Sequence, residues 1–319
     1  MAARERTRER SLLKRLICIT LLLGVFTPTA VASEVESRIA RGYYPPSGYV
    51  PGVTRIAFSG DKGTSSCTAS LITPKRVLTA AHCVIPDSSS PDKLDPAKWT
   101  AHIGARTREG GELIGFTAIA MHPQYSQPTK VNDIAVMFLA RPSTVTPVPI
   151  GTENDWGSYG TALGWGHNNY HDTPPNTYDD RLKAINLILG SDSACATAYS
   201  RLTYVPAIML CAWDDDGYDC ITHGDSGGPL LVNGVQIGVT SHYPGEYDYG
   251  PCGTLSVTSF SWIAGPTLRS WPFTVVNPAC PPALRARRAA KKAFKRTHSK
   301  KSKKRLRRAK AGVRVVCTG

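Results

Sequence analysis

Several absences narrow the reading of this 319-residue chain. None of its nine cysteines forms a Cys-x-x-Cys pair or a tight Cys/His quartet, which argues against a structural metal site. After Phe26 no apolar run approaches the length of a membrane span, so no later transmembrane segment is expected. No internal repeat is visible, which argues against a solenoid or propeller. No base-reading motif appears, so sequence-specific nucleic-acid recognition is not expected. Residues 282–319 contain no Asp or Glu at all.

That last absence explains the formal charge of +14. Residues 1–32 carry six Lys/Arg against two Asp/Glu, and residues 282–319 carry 16 basic residues unopposed. Residues 33–281 hold 16 basic and 22 acidic residues, a net of −6. The basic balance therefore belongs to a tail, and the body is mildly acidic.

The amino terminus reads as an export signal spanning 1–32. A basic stretch, MAARERTRERSLLKR, precedes the apolar run Leu16–Phe26, and Ala30-Val31-Ala32 offers a small-x-small cleavage site. The expectation is a secreted, extracellular protein. Cys18 would leave with the signal, and the remaining eight cysteines make an even set suited to disulfides in an oxidising compartment.

From about Val53 to Ile263 short apolar runs alternate with Gly, Pro, Asn, Asp and Ser. VTRIAF, ASLI, RVLTA, TAHIGA, IAVMFLA and TALGWG are of strand length and rich in β-branched or aromatic residues. Asn233-Gly234 between two apolar runs predicts a type I′ hairpin. Helix is expected only at Asp192–Ser200 and near Trp262. After Phe273 the texture changes: VVNPACPP marks a boundary, and the Ala-, Arg- and Lys-rich stretch beyond it favours helix but has too few apolar residues to bury a face. Residues 275–319 are read as a basic appendage.

Candidate chemistry centres on Gly224-Asp225-Ser226-Gly227-Gly228-Pro229. Ser226 is either a nucleophile or a serine in a tight turn of small residues. A serine hydroxyl needs a base, and the base needs an orienting acceptor. His82, in LTAAHCV, ends an apolar strand beside a cysteine; Asp133, in VNDIAVMFL, leads directly into one. A carboxylate there should be partly buried and so require a partner, which a histidine would supply. Singly, His82 also reads as a satisfied core histidine, and Asp133 as a strand-start residue bonding its own backbone.

In combination LTAAHC, NDIAVMFL and GDSGGP, in that order, resemble the trypsin/chymotrypsin-like serine proteases over about Ile39–Ile263. The resemblance implies an all-β fold of two six-stranded antiparallel barrels with the active site between them. It implies His82 as general base then acid, Asp133 as its orienter, Ser226 as nucleophile, and the N–H groups of Gly224 and Ser226 as the oxyanion hole. It pairs Cys67 with Cys83, Cys195 with Cys211, and Cys220 with Cys252; Cys280 and Cys317, which bracket the appendage, are then expected to pair with each other. It implies no cofactor and no metal, and polypeptide substrates. Arg38-Ile39 matches the family's activation cut, after which the new α-amino group would bury itself against Asp225, although Ala40 and Arg41 replace the family's usual Val and Gly. A propeptide at 33–38 and a protease domain at 39–274 follow.

Specificity is less legible. Cys220 stands two residues further ahead of the serine than the family places it, so the pocket floor falls at Tyr218, at Cys220 or, between them, at Asp219. An acidic floor would favour Arg or Lys substrates. Ser241 matches the serine of the segment that pairs with substrate backbone, while His242 and Tyr243 replace the usual Trp and Gly; Tyr243 would narrow a deep pocket. His223 and His242 are read as surface histidines. The leading function is a secreted serine endopeptidase made as a zymogen. The alternative is a catalytically weak polyanion-binding or antimicrobial protein. The tail is read either as a solvated, charged helix or hairpin or as an adhesive for cell-wall polymer, acidic glycan or nucleic acid.

Overall fold

Alternation along the strand-length segments produces strands with one face turned inward, and these close on themselves. In β1 (Val53–Gly60), Thr54, Ile56 and Phe58 are buried while Arg55, Ala57 and Ser59 are less so. The computed structural model describes residues 42–88, 90–167, 180–215, 220–243 and 257–279, and then 285–286, 289–292 and 303–310. All of these belong to the unit Glu36–Gly319. The expected signal and propeptide, Arg38, Ile39, Tyr218, Asp219, Cys252, Cys280 and Cys317 lie outside the described residues.

The first barrel is closed in the order β1, β2 (Gly63–Thr73), β3 (Arg76–Thr79), β6 (Ala135–Leu139), β5 (Glu112–Met121), β4 (Trp99–Ile103), with β4 pairing back onto β1. The second runs β10 (Pro229–Val232), β11 (Val235–His242), β12 (Thr258–Trp262), β9 (Met209–Trp213), β8 (Lys183–Leu189), β7 (Tyr159–Gly164), and β7 pairs with β10. Among the described residues every ladder within the two barrels is antiparallel, and closure leaves neither barrel with a free edge. Among the described residues, short helices α1 (Ala81–Val84) and α2 (Asp192–Ala198), capped by Ser191, interrupt the strands, and α3 (Trp271–Thr274) follows β12.

Ile56, Leu71, Val77, Leu78, Trp99, Ile103 and the wholly buried β6 fill the first barrel, with Phe58 and Trp99 in ring contact at 5.1 Å. Ile185, Leu187, Leu210, Leu230, Ile237 and Phe260 fill the second. Each such side chain contributes roughly 1.5–3 kcal/mol on burial, so the barrels are the rigid part on which loops can be fixed. The β10–β11 hairpin turns at Asn233 (φ 50°) and Gly234 (φ 81°), as the Asn-Gly pair requires.

One expectation is corrected. The neighbourhood of Trp262 is not helical: Thr258–Trp262 is a strand between β11 and β9, because its β-branched and aromatic residues complete two ladders that local propensity cannot register. Packing also continues past residue 274. Arg76 donates to the carbonyls of Pro272 (2.9 Å) and Val275 (3.1 Å), and Val275 and Ala279 lie against the first barrel's core. Residues 289–292 and 303–310 are helical, in line with their composition.

Candidate active site

The one-turn helix α1 follows β3 directly and carries His82, whose neighbour Cys83 is bridged to Cys67 on β2. Asp133 stands just ahead of β6, after Asn132 at φ 57°, a left-handed backbone that Asn tolerates better than most residues. Asp133 is completely buried. Its Oδ1 accepts the backbone N–H of His82 at 2.8 Å, and its Oδ2 lies 2.6 Å from His82 Nδ1. The Ser241 hydroxyl donates to Oδ2 at 2.7 Å. Burial pushes this carboxyl up, but the adjacent His82 and the hydrogen bonds from His82 and Ser241 outweigh it, and its pKa ends below the ordinary value. The carboxylate is thus ionised and orients the imidazole with both oxygens.

Ser226 sits in a loop held by its backbone. Thr68 N–H donates to Ser226 O at 3.0 Å, Thr68 Oγ1 donates to Gly224 O at 2.9 Å, and Gly227 N–H donates to Thr240 O at 2.8 Å. Cys83 Sγ lies 3.7 Å from Ser226 O, a packing contact, since a bridged sulfur has no proton. The loop thereby lies against the residue following His82. Its shape depends on glycine: Gly224 has φ 105°, and Gly227 has φ 81°. A Cβ on Gly227 would fall 2.1 Å from Thr79 Oγ1 and 2.4 Å from Thr68 O. Among the described residues, the N–H groups of Gly224 and Ser226 donate to no acceptor, and Ser226 Oγ forms no hydrogen bond. His82 and Asp133 are therefore directly joined, whereas Ser226 is brought to them through the main chain.

Asp225 points inward and is buried. It accepts from Gly166 N–H (2.7 Å), Thr222 N–H (2.9 Å) and the Thr222 hydroxyl (3.2 Å). Burial raises its pKa despite these bonds and the attraction of Lys183, a lysine that is only 1% exposed on β8. Gly166 makes room for it: a Cβ there would lie 2.2 Å from Asp225 Oδ2. The expected partner, the α-amino group of Ile39, lies outside the described residues.

Of the expected specificity residues, Ser241 is buried and its hydroxyl is spent on Asp133, and Tyr243 is half-buried with its ring 6.4 Å from that of His223. His223 is exposed, but His242 is not a surface histidine. Its ring is half-buried, meets Tyr199 edge-on at 5.5 Å and has Nδ1 3.2 Å from Ser241 Oγ; burial pushes its pKa down to about 4. Its substitution for the usual Trp was the available signal, but its burial comes from Tyr199, far away in sequence. Cys195 is bridged to Cys211, and Cys220 is also disulfide-bonded, to a partner outside the described residues.

Two closed barrels carrying a buried aspartate paired with a histidine and a glycine-shaped serine loop define a chymotrypsin-like architecture. The Trypsin family model matches residues 39–262, and the chain belongs to that family. It is similar to a trypsin of Saccharopolyspora erythraea, with 30% identity over 58% of this chain and 79% of the relative. Trypsin delta of Drosophila erecta is 28% identical over 73% of this chain and 92% of its own length, and the vitellin-degrading protease of Bombyx mori is 28% identical over 73% and 88%. The fold is shared with the solved structure of GrC (TM-score 0.59, 24% identity, 72% of this chain and 96% of that one). It is also shared with the HL collagenase structure (TM-score 0.57, 23% identity, 70% and 93%).

Proposed function

We propose that this trypsin-family chain is a secreted serine endopeptidase, made as a zymogen and working through His82, Asp133 and Ser226. The observation that carries the reading is the buried Asp133 carboxylate, both of whose oxygens are engaged with His82. An imidazole that gives its Nδ1–H to Asp133 keeps an unshared pair on Nε2. Nε2 takes the Ser226 proton as Oγ attacks the scissile carbonyl carbon, and the carbonyl oxygen becomes an oxyanion facing the N–H groups of Gly224 and Ser226. The imidazolium returns that proton to the leaving amine as the C–N bond breaks, giving the acyl-enzyme. Water, deprotonated by the same nitrogen, then releases the acid and restores Ser226.

Activation is read as cleavage between Arg38 and Ile39, with the new ammonium joining Asp225. Among the described residues the hydrogen-bond donors to the buried Asp225 carboxyl group are the neutral Gly166 and Thr222, and this supports the step, because an ammonium in contact would offset its desolvation. Asp219 supports a preference for Arg or Lys on the acyl side of the scissile bond. The 16 unopposed basic residues of 282–319 support salt-sensitive adhesion to polyanions. The test is turnover of a fluorogenic peptide library by the full chain before and after cleavage at Arg38. Activity should appear with an Ile39 amino terminus and favour Arg and Lys, and Arg38→Gln should stay inactive. Full activity in protein beginning at Ser33 would refute the zymogen step, and a preference for apolar residues would refute the Asp219 assignment.

A further inference from the structure

Ser241 and His242 end β11 beside the buried carboxylate, and their protons follow from elimination. The Ser241 hydroxyl is 2.7 Å from Asp133 Oδ2, and an ionised carboxylate only accepts, so the hydroxyl proton is committed to Asp133. Ser241 Oγ is also 3.2 Å from His242 Nδ1. With its proton spent, Oγ can only accept there, and His242 must carry its hydrogen on Nδ1. A continuous chain results: His242 Nδ1–H to Ser241 Oγ, Ser241 Oγ–H to Asp133 Oδ2, and His82 Nδ1–H to the same oxygen.

The histidine is held for this task. Tyr199 Oη donates to His242 O at 3.0 Å, and the Tyr199 ring meets the imidazole edge-on. Among the described residues, the charged and titratable groups facing it are Asp133 at the start of β6, Lys130 in the loop before it, His82 on α1, and Tyr199 at the end of α2. Burial, with Lys130 and His82, overrides Asp133 and keeps the ring neutral above about pH 4. A neutral ring donates to Ser241 without placing a second positive charge beside the carboxylate.

We propose that His242 is a positioning residue: its Nδ1–H fixes the Ser241 hydroxyl, which in turn holds Asp133 Oδ2 toward His82. The proposal deepens the protease reading and rests on it for its kinetic half. Without the donor, the Ser241 hydroxyl is free to turn away, and Asp133 loses one of the bonds that keep it poised. Loss of a single oriented hydrogen bond corresponds to a change of roughly three- to tenfold.

The test compares His242→Phe, which keeps a ring against Tyr199 but has no donor, with His242→Asn, whose side-chain nitrogen falls near the place of Nδ1. In the activated full-length protein, Phe should lower kcat roughly three- to tenfold and move the acid limb of kcat/KM, with KM for a short peptide little changed. Asn should recover most of the loss. A change confined to KM or to melting temperature, with the acid limb unmoved in both variants, overturns the proposal. Nitrogen NMR of ¹⁵N-histidine-labelled protein gives a readout independent of turnover. His242 should be the Nδ1–H tautomer near neutral pH and should lose that preference in Ser241→Ala. An Nε2–H tautomer overturns the proposal whatever the activity. A wild-type chain with the expected tautomer but no peptide turnover supports the hydrogen-bond chain and refutes the protease reading instead.

Discussion

In the first barrel, the candidate catalytic groups are held by bonds between side chains: His82 to Asp133, and Asp133 to a hydroxyl reaching over from β11. In the second barrel, Ser226 and Gly224 are held by their main-chain carbonyls, which accept from the Thr68 N–H and hydroxyl, and by glycines whose conformations other residues adopt with difficulty. The first arrangement is chemical and tolerates modest shape change as long as charge and donors remain. The second is geometric and tolerates any chemistry that does not add a Cβ. The contrast fits the role proposed for each group. A base must be kept in one tautomer, whereas a nucleophile and its oxyanion donors must be kept in one place.

Substitutions can separate the two modes. The largest effect is expected from the chemical groups: Ser226→Ala or His82→Ala should lower kcat by about 10⁶-fold, and Asp133→Asn by about 10⁴-fold through the wrong tautomer, all with melting behaviour nearly kept. Steady-state kinetics beside thermal unfolding checks this; a serine variant within tenfold of wild type removes Ser226 as nucleophile. Gly227→Ala probes the geometric mode. It forces a side chain onto a left-handed backbone and into Thr79 and Thr68, so it should destabilise by roughly 3 kcal/mol or more and remove activity through folding. Denaturant titration showing wild-type stability would contradict the geometric account.

A smaller effect concerns the first barrel's frame. Glu112, where β5 begins, accepts from the Ser143 hydroxyl at 2.6 Å, from Thr144 N–H at 3.0 Å, and from Arg141. The Ser143 bond foremost, then Arg141, pulls its pKa down to about 2. A depressed carboxylate stabilises the fold above its unfolded pKa and loses that stabilisation as pH falls through the folded value. Glu112→Gln should therefore cost on the order of 1 kcal/mol at pH 7, allowing for solvent screening, and the difference should close between about pH 4.5 and 2. Urea titrations at several pH values would show it, and a difference independent of pH would rule the charge out.

Much of this was legible in the residues. The strands and the Asn233-Gly234 turn follow from alternation and turn chemistry, which are local, whereas the two-barrel fold was legible only through the family resemblance. His82, Asp133 and Ser226 stood out because each occupies its own motif, and their resemblance to one family supplied the joint reading. What escaped depends on contacts distant in the chain. Trp262 is in a strand because β9 and β11 flank it. His242 is half-buried because Tyr199, at the end of α2, packs against it. Asp225 finds a donor in Gly166, on the loop after β7, and nothing in GDSGGP announces that partner.

The central claim is that Ser226 is a nucleophile made reactive by the His82–Asp133 pair. Incubation of the activated full-length protein with a fluorophosphonate probe, followed by intact mass and peptide mapping, tests it most directly. The account predicts one adduct per chain, located on Ser226 and abolished in both Ser226→Ala and His82→Ala. An unlabelled wild-type chain, or an adduct on another residue that survives in Ser226→Ala, would contradict it.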